Sequence, residues 1–208
     1  SAGDSFSATG KSGINGVVSL GDGGSATLTF SSPIINGNGP DFAVFENAFD
    51  NTFLELAHVE VSSDGINYFR FESVSLSQFS AQISNVVNAT EIKNLAGKYR
   101  AQFGTPFDLE EMIGITNLDV NNITHVKIID AIGSINQSYA SYDSQGNIIN
   151  DPFPTPYETG GFDLDAIGVI HSFVGIKELT NAFNVFPNPA SQQATIIFDN
   201  YADKTIQL

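Results

Sequence analysis

Cysteine is absent from this chain, so no disulfide can staple the fold and no thiol can act as nucleophile or metal ligand. Tryptophan is absent too, which counts against a sugar ligand without excluding one. Cations are scarce: 8 Lys and Arg stand against 23 Asp and Glu, a formal charge of −15. So few positive groups cannot neutralise a run of phosphates, which excludes nucleic acid as a partner. The acidic surplus gives solubility and concentrates divalent cations locally. No apolar run approaches the about 18 residues that a membrane-spanning helix needs. The three histidines, His58, His125 and His171, fall in separate segments and none has a second His at ligand spacing, so a zinc centre is not expected. No G-x-S-x-G, Walker or dinucleotide signature occurs, and the chain is read as a non-enzyme.

What is there favours strands and turns: 19 Gly, 8 Pro and 17 Phe among many Ser, Thr, Asn, Val and Ile. Expected strands are Ser25–Phe30, Asp41–Asn47, the hairpin within Phe53–Glu72, Thr124–Gly133 and the run GGFDLDAIGVI at 160–170. Asp64-Gly65 between HVEVSS and NYFRFE predicts a tight type I′ turn. The GDGG at 21–24 is read as a turn, because no His and Asp stand in a pattern that would make it a serine-protease fragment. Residues 1–16 read as a loose lead-in. Asp108 with Glu111 three residues on predicts a capping box for a short helix. The fold class is therefore all-β, a β-sandwich with short helices in its loops.

Five acids break the alternation of these strands. Glu46 shares a face with Phe42 and Val44, Glu55 with Ala57 and Val59, and Asp130 with Val126 and Ile128. Asp163 and Asp165 fall with Ile167 and Val169. A buried carboxylate needs a partner, and few Lys or Arg lie near these strands. Strand ends half in solvent would account for any one acid. For the set, a structural Ca²⁺ is the expected cofactor, since it gathers six to eight oxygens. Asp163 and Glu46 are the leading ligands, with Asn47, Asp41 and Asp165 next. Alternate strand residues project about 7 Å apart, so Asp163 and Asp165 need not share an ion. A second calcium-like run, Tyr142–Asp151, has its Gly at the wrong place for an EF-hand and reads better as a hairpin turn.

Two aromatic clusters stand in expected loops: Tyr99, Arg100 and Phe103, then Tyr139, Tyr142, Phe153 and Tyr157. Rings beside amides and a guanidinium suit sugars and other ring-bearing ligands. The same rings could instead plug the ends of the sandwich. Paired carboxylates could in principle hydrolyse glycosides, but nothing in their spacing separates one acid from one base.

The tail from Phe183, with Val185, Phe186, Pro187, Asn188, Pro189 and Ala190 before an alternating strand, resembles the start of a type A C-terminal sorting domain of the Bacteroidota type IX secretion system. That resemblance implies export by the type IX machinery to the outer cell surface or medium. The body, through DFAVFENAF, VEVSSDGINYFRF, NLAGKYRAQFGTPFDL and GGFDLDAIGVI, resembles a family of uncharacterised bacterial cell-surface proteins. VEVSSDG, VKIID and FDLDAI together also resemble galactose-binding-like jelly rolls of the discoidin type, which implies a jelly roll with a structural Ca²⁺ and loops that bind a ligand. The expected layout is a sandwich over 1–175, a linker over 176–183 and a truncated start of the sorting domain over 184–208. The expected function is non-catalytic binding of an extracellular glycan, small molecule or protein. A structural adhesin, a surface-assembly subunit, capture of a corrinoid-like cofactor and a glycosidase-like hydrolase are the rivals.

Overall fold

The structure is a computed structural model that describes residues 2–82, 87–154, 160–173, 184–186 and 195–197. The chain divides into two compact units, Ser1–Phe173 and Val174–Leu208. The first contains strands β1 (Val18–Ser19), β2 (Ser25–Ile34), β3 (Phe42–Glu46), β4 (Ala57–Ser62), β5 (Phe69–Arg70), β6 (Val74–Ser75), β7 (Ile92–Lys93), β8 (Thr105–Phe107), β9 (Ile123–Asp130) and β10 (Asp163–Val169). In the second, β11 (Asn184–Phe186) pairs antiparallel with β12 (Thr195–Ile197). Pro187, Asn188, Pro189 and Ala190, the expected linker at 176–183 and Tyr157 lie outside the described residues.

Two four-stranded antiparallel sheets make the sandwich, in the orders β1-β10-β3-β8 and β2-β9-β4-β5. Apart from the β4–β5 hairpin, successive strands of these sheets alternate between the two layers. That wrapping is the jelly roll, two Greek keys closed on one core. Strands β6 and β7 pair with each other as an insert between β5 and β8.

Strand alternation fills the core as the sequence pattern predicts. Phe42 and Val44 of β3, Val59 and Val61 of β4, and Val126 and Ile128 of β9 are buried in one cluster with Phe71, Phe107 and Leu164. Phe42 stacks on Phe107 with ring centroids 5.3 Å apart, and Phe71 tilts against both. Removing each such ring from water stabilises the fold by about 1.5–3 kcal/mol.

Three local expectations change. The β4–β5 hairpin forms, but its turn is longer than type I′: Val61 pairs with Phe69, and among residues 63–68 φ is positive at Gly65 alone. Asp64 holds the loop by accepting from the backbone N–H of Ile66 and Asn67, both at 2.8 Å. Asp108 does cap, accepting from Glu110 N–H at 3.0 Å, but the helix is a single 3₁₀ turn, Leu109–Met112. The Glu111 side chain reaches Lys93 and Asn94 instead of closing a capping box.

The third concerns GGFDLDAIGVI. Leu164 pairs with Glu46, yet Ala166 pairs with Phe45. Three residues of β10 therefore face two of β3, a β-bulge that slips the side-chain parity by one. Leu164 and Ile167 both reach the core, which strict alternation forbids. Asp163 and Asp165 are thereby released from the apolar face on which the sequence placed them.

Candidate functional site

The outward face of the β1-β10-β3-β8 sheet carries a groove. Its floor is Ala43 and Phe45 of β3 with Ala166 and Gly168 of β10. The small residues let the Phe45 ring lie close against the backbone. A Cβ on Gly104 would stand 2.8 Å from the ring, and one on Gly168 would stand 3.1 Å away. One wall is the 10–14 segment and the other is the loop from Tyr99 to Gly104, giving cavities of about 570 and 580 Å³ that meet at Phe45 and Gln102. Each lies within the range of ligand sites.

The 97–104 loop is fixed to its neighbour by Ala101 N–H donating to Ala48 C=O at 3.0 Å. Gln102 takes φ +74°, a left-handed conformation that costs a non-glycine residue about 1–3 kcal/mol. Tyr99 and Phe103 stay 40% and 54% exposed. Lys98 Nζ lies 5.3 Å from the centre of the Tyr99 ring and Arg100 Cζ lies 5.0 Å from that of Phe103, both within cation–π range. Tyr99, Arg100 and Phe103 thus share one cavity. Tyr139 and Tyr142 are exposed on another segment, and neither they nor Phe153 line this groove.

The opposite wall is the lead-in that looks loose in sequence. Asp165 holds it, accepting from Gly13 N–H at 2.9 and 3.0 Å and from the Ser12 hydroxyl. Lys11, Phe45 and Gln102 are groove residues that sequence reasoning missed. The available signal was Asp165 itself, an acid in a strand with no cation nearby.

The other expected metal ligands disperse. Asp41 is fully buried at one pole of the sandwich and accepts from Gly37 N–H and Leu109 N–H, each at 2.7 Å, with His171 Nδ1 2.8 Å away. Asn47 is exposed. Glu46 and Asp163 lie at the opposite pole, where β3, β4, β9 and β10 bring Glu46, Glu55, Asp130 and Asp163 together with Asp151 and Asp22. Asp41, with two backbone donors, and Asp165, with one backbone donor and a hydroxyl, are thus loop anchors, and neither is among the charges that act on Glu46 and Asp163.

This acidic pole is electrostatically costly. Burial, then the charges of Glu55 and Asp163, hold Glu46 well above the ordinary carboxylate range, although Ala48 N–H donates to it at 2.6 Å. Burial likewise raises Asp151, which accepts from Leu56 N–H at 3.0 Å and feels Asp130, Glu55 and Asp22. Asp130 is pushed up to about 6 by burial, against two backbone donors. Asp163 is raised by burial, opposed by a bond from the Ser19 hydroxyl. Sequence parity found Glu46 and Asp130; it missed Asp151, which lies in a loop. Among the described residues, no group of three or more His, Asp or Glu side chains is arranged to hold a metal ion. A calcium ion here would complete its shell from two carboxylates plus carbonyl and water oxygens.

The Tyr142–Asp151 run is a turn. Tyr142 bridges Ile148, and Asp143 accepts from Ser75, Gln145 and Asn147 N–H at 2.8, 2.9 and 2.8 Å. Burial alone would raise the Asp143 pKa, and these bonds outweigh it and lower it. Comparison with known families, with curated proteins and with solved structures found no match to this chain.

Proposed function

We propose that this chain is a non-catalytic binding protein of the cell surface, which holds an extracellular glycan in the groove over β3 and β10. One observation carries the reading: two half-exposed rings, Tyr99 and Phe103, stand on one wall of a groove whose floor is small residues and the face of Phe45. Flat faces flanked by amides and cations are what a sugar ring packs against. The fixed backbone of the wall loop means little ordering is needed on binding. Export by the type IX machinery, with residues 184–208 as the start of the sorting domain, belongs to the same proposal and rests on the sequence resemblance. Calcium at the acidic pole, with Glu46 and Asp163 as carboxylate ligands, would relieve the repulsion there and brace the neighbouring loops.

The test is binding to an immobilised polysaccharide panel by wild type and by the double variant Tyr99→Ala/Phe103→Ala. Saturable binding by wild type, weakened at least about tenfold in the variant at unchanged melting temperature, is the expected result. No binding to any glycan, or equal binding by the variant, overturns it. A tightly retained coloured ligand on purification would then favour the corrinoid-type reading. A specific protein partner would favour the adhesin or assembly subunit, and turnover of polysaccharide lost in Asp163→Asn would favour the hydrolase.

A further inference from the structure

The chain has 8 Lys and Arg, of which Lys177 and Lys204 lie outside the described residues. Among the described residues, Arg70 and Lys127 pair with Glu60, Lys93 pairs with Glu111, and Lys98 donates to the Ile92 carbonyl at 2.7 Å. Among the described residues, Lys11 and Arg100 pair with no carboxylate. In a chain where acids outnumber bases 23 to 8, Lys11 lines one and Arg100 the other of the two adjoining cavities, which share Phe45 and Gln102.

We infer that the ligand of this groove is an anionic glycan, one whose sugar rings carry carboxylate or sulfate groups held between Lys11 and Arg100. The inference rests on the binding reading above and names its ligand class. The guanidinium of Arg100 is a planar fork that matches a carboxylate or sulfate face with two parallel hydrogen bonds, and Lys11 supplies a point charge. Tyr99 and Phe103 take the apolar face of the same ring. Two acids beside groove-lining segments are already engaged. Asp165 is 6% exposed beneath the 10–14 segment and bonded to Ser12 and Gly13. Asp50 on the neighbouring loop spends its carboxylate on Thr52 and Phe53.

Four probes separate the possibilities: polygalacturonate against its methyl ester, and dextran sulfate against dextran. The expected result is that at least one acidic polymer binds at least tenfold tighter than its neutral partner. Lys11→Gln and Arg100→Gln should each weaken that binding about tenfold, while Lys93→Gln, away from the groove, leaves it unchanged. Which acidic polymer wins tells carboxylate from sulfate. If a neutral polymer binds as well as its acidic partner, the glycan reading stands and this inference falls. If none of the four binds, this inference falls, and the glycan reading is decided by the wider polysaccharide panel. If Lys93→Gln weakens binding as much as Arg100→Gln, the attraction is diffuse and the inference is overturned.

Discussion

Replacing Asp130 by Asn and then lowering the pH tests whether the acidic pole is as strained as its geometry implies. Asp130 is 3% exposed and accepts from Gly23 N–H at 2.8 Å and Phe162 N–H at 2.7 Å. Burial wins over those donors and raises its pKa from 3.8 to about 6. The native state therefore keeps a proton that the unfolded chain has already lost between about pH 4 and pH 6. Stability from this group is fully present below the unfolded pKa and disappears as pH rises through the folded one. At about 1.36 kcal/mol per pH unit the full effect is about 3 kcal/mol, of which about 1.4 kcal/mol falls between pH 7.5 and pH 5. His58 runs the other way. It is buried, its Nδ1 has no partner among the described residues, and burial lowers its pKa to about 4. Its contribution, present above the unfolded pKa, falls by about 2 kcal/mol over the same interval. The total therefore hides the effect, and the difference between wild type and Asp130→Asn isolates it. Urea unfolding followed by circular dichroism, in chelator at both pH values, should show wild type gaining about 1 kcal/mol or more over Asp130→Asn on acidification. A gap that stays constant or narrows would refute the reasoning, because Asp130 would then ionise no less readily in the fold than out of it.

Calcium gives a separate prediction. Purified protein should contain stoichiometric calcium, and exhaustive chelation at neutral pH should lower its melting temperature by several degrees, restored by Ca²⁺ and lost in Glu46→Gln or Asp163→Asn. An ion at a hundred times its dissociation constant stabilises by about 2.7 kcal/mol; no metal and no shift removes calcium from the account. At the opposite pole, Asp41→Ala should cost about 4 kcal/mol in urea unfolding, since it leaves the Gly37 and Leu109 N–H groups without their acceptor at about 1–3 kcal/mol each and also strips His171. A loss under about 1 kcal/mol would mean that water replaces the carboxylate.

The strands were legible where their alternation is regular. THVKIID and FAVFE bury the residues that period two selects, and they place Glu46 and Asp130 inward as that period requires. The order of strands was not legible, because β1 pairs with β10, about 145 residues away in sequence, and no local pattern encodes that. The parity of GGFDLDAIGVI misled because a bulge is written in the partner's register and not in the strand. The same limit hid the roles of Asp41 and Asp165. Their partners are backbone amides of Gly37, Leu109 and Gly13, and a backbone amide carries no letter that a sequence can show. Tyr99, Arg100 and Phe103 were legible because one loop carries all three.

The bulge in β10 also links the two halves of the functional argument. With strict alternation, Asp165 would face the core and demand a cation. With parity slipped, it meets Ser12 and Gly13 and fastens the segment that carries Lys11 against the sheet. The acid that first suggested a metal is in this way the residue that builds a wall of the groove. Asp41 and Asp165 are anchors in this fold: two backbone N–H groups hold the first, and one backbone N–H with a hydroxyl holds the second. At Glu46 and Asp151, burial and the charges of neighbouring acids outweigh the backbone donors they have, so a cation would gain most there. The division follows from weighing donors against burial and neighbouring charge at each carboxylate, and it favours the acidic pole for the proposed calcium and the outer face of the same sheet for the proposed ligand.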